Sequence, residues 1–149
     1  MITVQFSKTI NAPVQKVWDI MLWDEWYRQR TKPFNPAWSR YEGDRSQGSK
    51  IRFLWPDPRD ATKIGGMYSE IAENKPYEFI SIRHLGEVNG TEVKEMPEWD
   101  GASENYSFSE KEGVTTVDIR LDVPEDFKEY MEETWPQALT ALKDLSEAA

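Results

Sequence analysis

Residues 114–146, VTTVDIRLDVPEDFKEYMEETWPQALTALKDLS, decide the fold, because the spacing of their apolar side chains changes at Pro124. Before this proline, apolar and polar residues alternate, which predicts a strand over 114–123 with one buried face. After it, the apolar residues recur at the spacing of one helix face, which predicts a helix over 125–146. Pro136 lies inside this helix and removes one backbone hydrogen bond, so we expect a kink there.

Outward from this stretch, the same alternation predicts further strands at 2–10, 38–42, 48–55, 62–73, 77–85 and 103–110. Pro13 marks the start of a helix whose apolar stripe runs through 14–22, and a second short helix is predicted to follow Asp24 and to end near Pro33. The Gly65-Gly66 pair inside 62–73 predicts a bulge or a strong bend.

The predicted order is one strand, two short helices, a six-stranded antiparallel curved sheet and a long C-terminal helix. Residues 87–102 contain two glycines and a proline and are predicted to form a long loop. Only one long amphipathic helix is available to cover the sheet. We therefore expect an α+β fold in which this helix and the curved sheet close on each other around an interior.

Composition restricts the class of protein further. The chain has 149 residues, no cysteine and a net charge of −9, and we expect residues 1–149 to form a single domain. The acidic charge argues against nucleic acid, and the short apolar runs argue against a membrane span. No signal-peptide pattern is seen in the first 20 residues, which favours a cytoplasmic location. With one histidine and no metal-binding motif, we expect no metal and no cofactor.

The chain resembles the helix-grip superfamily, known as START-like or SRPBCC proteins, and within it the homologues of the activator of the heat-shock-protein-90 ATPase. Short strings distributed along the whole chain carry this resemblance. They are Ile10-Asn11-Ala12-Pro13, Val17-Trp18, Gly66, Glu70-Ile71, Glu104-Asn105-Tyr106-Ser107-Phe108, Thr115-Thr116-Val117, Trp135-Pro136-Gln137-Ala138-Leu139 and Leu142-Lys143. The resemblance implies a cavity between the sheet and the long helix, in which relatives bind lipids, aromatics or polyketides.

The pattern also predicts which side chains face the interior. The predicted inward set is Phe53, Trp55, Ile80, Ile82, His84, Tyr106, Phe108, Ile119, Phe127, Met131, Thr134 and Trp135. Either these side chains pack closely, or their rings leave a cavity of a few hundred Å3 that holds a ligand. In the second case His84, Tyr106 and Thr134 would orient the ligand.

Two side chains of this region leave alternatives open. His84 is either a buried histidine with a satisfied partner or a general base. Glu104 shares a face with Tyr106 and needs a partner, for which Arg120 and water are both candidates.

The sequence leads to three alternative hypotheses about function. The first is a non-enzymatic domain that binds a small apolar or aromatic ligand. The second is a chaperone-interacting domain, supported by the resemblance and by a charge of +5 over residues 28–63. The third is a cyclase or hydrolase that uses His84 with Tyr106 or Glu104. We expect a monomer or a homodimer, with Phe79 as a candidate contact.

Overall fold

A computed structural model describes residues 1–22, 39–57, 59–96 and 102–148 of the chain. The described residues form one curved, open, antiparallel sheet of eight strands with two α-helices. The elements in chain order are β1 (Ile2–Ile10), α1 (Val14–Leu22), β2 (Arg40–Gly43), β3 (Lys50–Asp57), β4 (Asp60–Lys75), β5 (Phe79–Asn89), β6 (Glu92–Glu95), β7 (Ser103–Lys111), β8 (Val114–Val123), a 3-10 turn (Glu125–Phe127) and α2 (Lys128–Glu147).

The sheet has the order β1-β8-β7-β5-β4-β3-β2, and β6 pairs with the last residues of β5. The first strand therefore lies beside the last one. Residues that pair across strands share a face, so Phe6, Ile119, Tyr106 and Ile80 form one row across four strands. We call the face that carries this row the inner face, because it packs against the helices.

The core lies between this inner face and the two helices. Helix α2 buries Trp135, Leu139 and Leu142, and it contacts β1 and α1. The Trp135 ring is stacked on Phe6 with centroids 6.4 Å apart, and it lies 6.1 Å from the Tyr106 ring. Burial of these large rings supplies much of the hydrophobic free energy that holds α2 on the sheet.

The α+β helix-grip architecture predicted from the sequence is confirmed. One detail differs from the prediction, because strand β6 forms inside the segment predicted as a loop. The pairing of β4 with β5 is irregular between Tyr68 and Ser69 and between Ile71 and Glu73, and Gly65 and Gly66 pair in regular register, so a bend at these glycines stays a prediction. Helix α2 continues through Pro136 to Glu147. The predicted second short helix lies outside the described residues.

Neither of the described helices is both long enough and apolar enough to cross a bilayer.

Candidate functional site

Four polar side chains on the inner face form one hydrogen-bonded chain. The Nδ1 atom of His84 lies 2.8 Å from the Ser69 hydroxyl, and its Nε2 atom lies 3.0 Å from Glu104 Oε1. The Tyr106 hydroxyl donates to the other Glu104 oxygen, Oε2. We call these four residues the polar cluster.

The sheet register explains why these residues meet. Ser69 pairs with His84 across β4 and β5, and Glu104 pairs with Ile82 across β7 and β5. Since side chains two residues apart share a face of a strand, His84 lies on the face of Ile82 and Tyr106 on that of Glu104. The irregularity between Tyr68 and Ser69 sets the register that places the Ser69 hydroxyl against His84.

The hydrogen-bond chain fixes the roles of the His84 ring atoms. When Glu104 is ionised, its carboxylate only accepts, so His84 Nε2 carries the hydrogen and donates a hydrogen bond to Glu104. In a neutral imidazole the Nδ1 atom then accepts from the Ser69 hydroxyl. Both ring nitrogens are thereby engaged, so His84 positions Glu104 and offers no lone pair to a substrate.

Exposure differs sharply within the polar cluster. Ser69 is 0% exposed, and His84 and Tyr106 are also buried, whereas 29% of the Glu104 side chain is exposed. A substrate therefore cannot reach the Ser69 hydroxyl as a nucleophile. Glu104 is the member that a bound molecule can contact.

A carboxylate on an apolar wall is costly unless donors satisfy it, and here two donors do so. The sheet register places Ile82 and Leu121 on either side of Glu104, and both are buried. The arrangement is chemically a hydrogen-bond acceptor with a fixed orientation in an apolar setting.

The structure places most of the predicted inward residues as expected, with one clear exception. Those that are buried are Ile80, Ile82, His84, Tyr106, Phe108, Ile119, Thr134 and Trp135. Those that are half-buried are Phe53, Trp55 and Met131. Thr134 hydrogen-bonds to Tyr130 one turn earlier on its own helix. Their predicted role as ligand contacts stays a prediction.

Phe127 was predicted to face inward, and this prediction is wrong, since Phe127 is 46% exposed. The prediction assumed one continuous α-helix from residue 125, in which Phe127 would continue the stripe of Met131 and Trp135. The chain instead forms a 3-10 turn over Glu125–Phe127, and the α-helix begins at Lys128. The tighter turn rotates Phe127 away from the buried stripe.

Sequence reasoning missed Ser69 and left the partner of Glu104 undecided. The only local signal for Ser69 is its position between Met67 and Ile71, which assigns it a face but no partner. The structure gives Glu104 two partners that the sequence did not indicate, His84 and Tyr106.

Comparison with solved structures shows the same chain path at low sequence identity. The Aha1 dimer from Colwellia psychrerythraea has a TM-score of 0.70 at 19% identity, covering 99% of this chain and 97% of that one. Protein CV1439 from Chromobacterium violaceum has a TM-score of 0.69 at 16% identity, with both chains covered completely. Protein NE0264 from Nitrosomonas europaea has a TM-score of 0.71 at 13% identity, with coverages of 98% and 94%.

The chain has the helix-grip fold. No protein-family model matches the sequence, and no curated protein matches it either. At these identities the structural likeness shows the fold and not the function. The helix-grip fold accounts for the placement of the polar cluster, since the sheet's inner face is the wall that the terminal helix covers.

Proposed function

We propose that this protein binds a small, mostly apolar or aromatic molecule on the inner face of the sheet, with the Glu104 carboxylate as its polar anchor. The observation that supports this function is the partial exposure of Glu104, held by His84 and Tyr106 on a wall of buried apolar side chains. Ligand sites commonly combine an apolar lining with a few fixed polar groups.

The chemistry of Glu104 restricts the ligand. An ionised carboxylate accepts hydrogen bonds, so the ligand presents a hydroxyl or N–H donor. The net charge of −9 disfavours anionic ligands. A phenol or another hydroxylated aromatic molecule fits both conditions.

The test is a binding screen by thermal shift and native mass spectrometry, with 2-naphthol and its methyl ether 2-methoxynaphthalene as a matched pair. We expect the naphthol to bind more tightly, because only it donates to Glu104. In the Glu104→Gln variant the naphthol should bind roughly 10- to 100-fold more weakly, as expected for loss of a charge-assisted hydrogen bond. Glu92→Gln on the exposed strand β6 is the control and should leave binding unchanged. Equal binding of the two naphthalenes would refute the anchoring role of Glu104.

A second candidate function follows from the fold neighbours. One of them is an Aha1 dimer, so we also consider a role as a co-chaperone-like domain, active as a homodimer or on a chaperone partner. An ATPase assay of the cognate heat-shock-protein-90 homologue, with and without this protein, tests the chaperone role. Light scattering after size exclusion measures the oligomeric state. An unchanged ATPase rate together with failure to co-purify would exclude the chaperone role.

The enzymatic alternative gains less support from the polar cluster. Because both nitrogens of His84 are engaged, a cyclase or hydrolase in which His84 is the base would first have to break one of these hydrogen bonds. If a turnover is detected with any ligand of the screen, His84→Ala tests the assignment. An intact rate in this variant would show that His84 is not the base.

A further inference from the structure

The start of α2 presents two large aromatic side chains to solvent. Phe127, which comes directly before the helix, is 46% exposed, and Tyr130 is 45% exposed. The buried residues of α2 begin only at Thr134, so both rings precede the part of the helix that packs on the sheet. Single exposed apolar side chains need no explanation, but two neighbouring rings form a patch of the kind that marks contact surfaces.

Helical spacing places two carboxylates beside these rings. The backbone stays helical from the 3-10 turn into α2, because Phe127 and Lys128 both have right-handed helical angles. Side chains three and four residues apart are neighbours on a helix surface, so Tyr130 lies next to Phe127 and Asp126. By the same spacing it lies next to Glu133 in the following turn, and all of these side chains are exposed. We call Asp126, Phe127, Tyr130 and Glu133 the helix-start patch.

The charge around the helix-start patch is strongly negative. Residues 125–133 contain five carboxylates and one lysine, and that lysine, Lys128, lies 3.9 Å from Glu132. Carboxylates in the first turn stabilise a helix through its dipole, which accounts for those that precede Tyr130. Glu133 lies beyond the first turn, where this effect has fallen off, and the dipole does not account for the exposed rings.

The combination of rings and carboxylates favours arginine as the group that binds there. A guanidinium group pairs with a carboxylate through its edge while its face stacks on an aromatic ring, whereas a lysine ammonium acts as a point charge. Asp126 and Glu133 form no ion pair within the described part of the chain, so both carboxylates are available to such a group. An anionic partner such as nucleic acid would be repelled.

We propose that the helix-start patch binds an arginine-rich segment of a partner protein. Guanidinium groups of the partner stack on the two rings and pair with the two carboxylates. The side chains of Tyr130 and Thr134 are hydrogen-bonded, so the Tyr130 ring is held in place before a partner arrives, which lowers the entropy lost on binding. The proposal does not require a ligand on the inner face of the sheet.

The first experiment titrates the full chain, labelled with 15N, with three synthetic peptides. They are acetyl-(Gly-Arg)4-amide, its lysine counterpart, and its citrulline counterpart, which keeps the shape of arginine without the charge. We expect the arginine peptide to shift the amide resonances of residues 126–133 most, and to bind about 2- to 5-fold more tightly than the lysine peptide through stacking. The citrulline peptide should bind roughly tenfold more weakly or not at all, since it forms no ion pair. Equal affinity of the arginine and lysine peptides would overturn the guanidinium assignment.

Two double variants of equal net charge test the carboxylates. Asp126→Asn with Glu133→Gln removes two charges from the helix-start patch, and Glu92→Gln with Glu95→Gln removes two from exposed positions on β6. We expect the first double variant to weaken the arginine peptide about 3- to 10-fold and the second to weaken it less than about 2-fold. Equal weakening would show that the net charge of the protein alone attracts the peptide, and it would overturn the proposal.

A pair of ring variants tests the stacking. Tyr130→Leu keeps an apolar side chain but removes the aromatic face, and it should weaken the arginine peptide about 2- to 5-fold. Tyr130→Phe keeps the ring and loses only the hydrogen bond to Thr134, so it should bind within about 2-fold of the wild type. Equal losses in the two variants would contradict stacking on this ring. Light scattering checks the chain without peptide, and a wild-type dimer that Tyr130→Leu abolishes would show that a second copy occupies the patch and would overturn the proposal.

Discussion

Gly66 shows how one residue constrains the sheet. Its φ is +150°, and a Cβ atom there would lie 1.9 Å from the carbonyl oxygen of Phe53 on the neighbouring strand. Neither the conformation nor the space admits a side chain. We expect Gly66→Ala to lower the free energy of unfolding by about 2–4 kcal/mol, measured by urea denaturation.

The control for this prediction is Gly90→Ala. Gly90 also has a positive φ, +66°, but an added Cβ would meet nothing within 4 Å. This variant should lose only about 1 kcal/mol, the cost of the left-handed conformation. Equal losses in the two variants would contradict the role of the Phe53 carbonyl oxygen.

A second prediction for a single residue concerns the pKa of the Asp57 carboxyl group. The Arg59 guanidinium, and then the Arg59 backbone N–H, hold the pKa of Asp57 below its usual 3.8. A pKa that is lowered on folding contributes stability above the unfolded-state value, and this contribution is lost as the pH falls through the native value. A carboxyl-detected NMR titration of the native protein should place the midpoint of Asp57 below 3.8.

The matched variant for this titration is Arg59→Ala, which should move the Asp57 midpoint upward. Asp44 serves as an internal reference, because its pKa is lowered by hydrogen bonds from Ser46 and neither Asp57 nor Arg59 acts on it. A midpoint of Asp57 that stays in place when Arg59 is removed would assign the effect to the backbone N–H alone.

The polar cluster marks the limit of sequence reasoning for single residues. The alternation of apolar residues along β5 places His84 on the face of Ile80 and Ile82, and this could be predicted. The contact between His84 and Ser69 depends on the register of two strands and on an irregularity in that register. Local sequence carries no signal for either, so the partner could not be predicted.

At the scale of elements, Pro136 interrupts the hydrogen bonds of α2 without ending the helix. Proline has no N–H to donate to the carbonyl oxygen of Glu132, so this carbonyl lacks its donor within the helix. We expect Pro136→Ala to raise the free energy of unfolding by about 1–3 kcal/mol, because it restores the missing hydrogen bond. Thermal and urea denaturation measure the change.

The outcome that would contradict this prediction is a Pro136→Ala variant no more stable than the wild type. It would show that leaving the Glu132 carbonyl without its helical donor costs the fold nothing.

The elements with a strong periodic pattern are those that the sequence predicted well. Strand β1, helix α1 and the hairpin of β7 and β8 each bury one regular face. Strand β6 reads Glu-Val-Lys-Glu, which has no apolar alternation, and its pairing with β5 rests on backbone hydrogen bonds. The prediction used one helical spacing from residue 125 onward. The 3-10 turn at Glu125–Phe127 has fewer residues per turn, so the face on which Phe127 lies could not be predicted from that spacing.

For the whole molecule, the decisive feature is that the two ends of the described chain meet. Strand β1 pairs with β8 along its full length, and the last turn of α2 is tied to the start of α1. The backbone N–H of Asn11 donates to the Glu147 carboxylate at 2.9 Å, and the Lys16 ammonium donates to the Ala148 carbonyl oxygen at 2.6 Å. Contacts over such sequence separations are not predictable from local patterns, and neither the β1–β8 pairing nor the tie between Asn11 and Glu147 was predicted from the sequence.

A variant of Glu147 tests whether these contacts hold the two ends of the described chain together. Hydrogen bonds from Lys143 and then from the Asn11 N–H hold the pKa of Glu147 below its usual 4.5, so the tie is complete above that pH and weakens as the pH falls through the native value. We expect Glu147→Gln to speed amide hydrogen exchange at Asn11 and in the last turn of α2 at neutral pH. Glu132→Gln removes an ion pair with Lys128 in the first turns of the same helix and is the matched control, with exchange at Asn11 unchanged. If the Asn11 amide exchanges at the same rate in Glu147→Gln as in Glu132→Gln, Glu147 does not hold the end of α2 to the segment between β1 and α1.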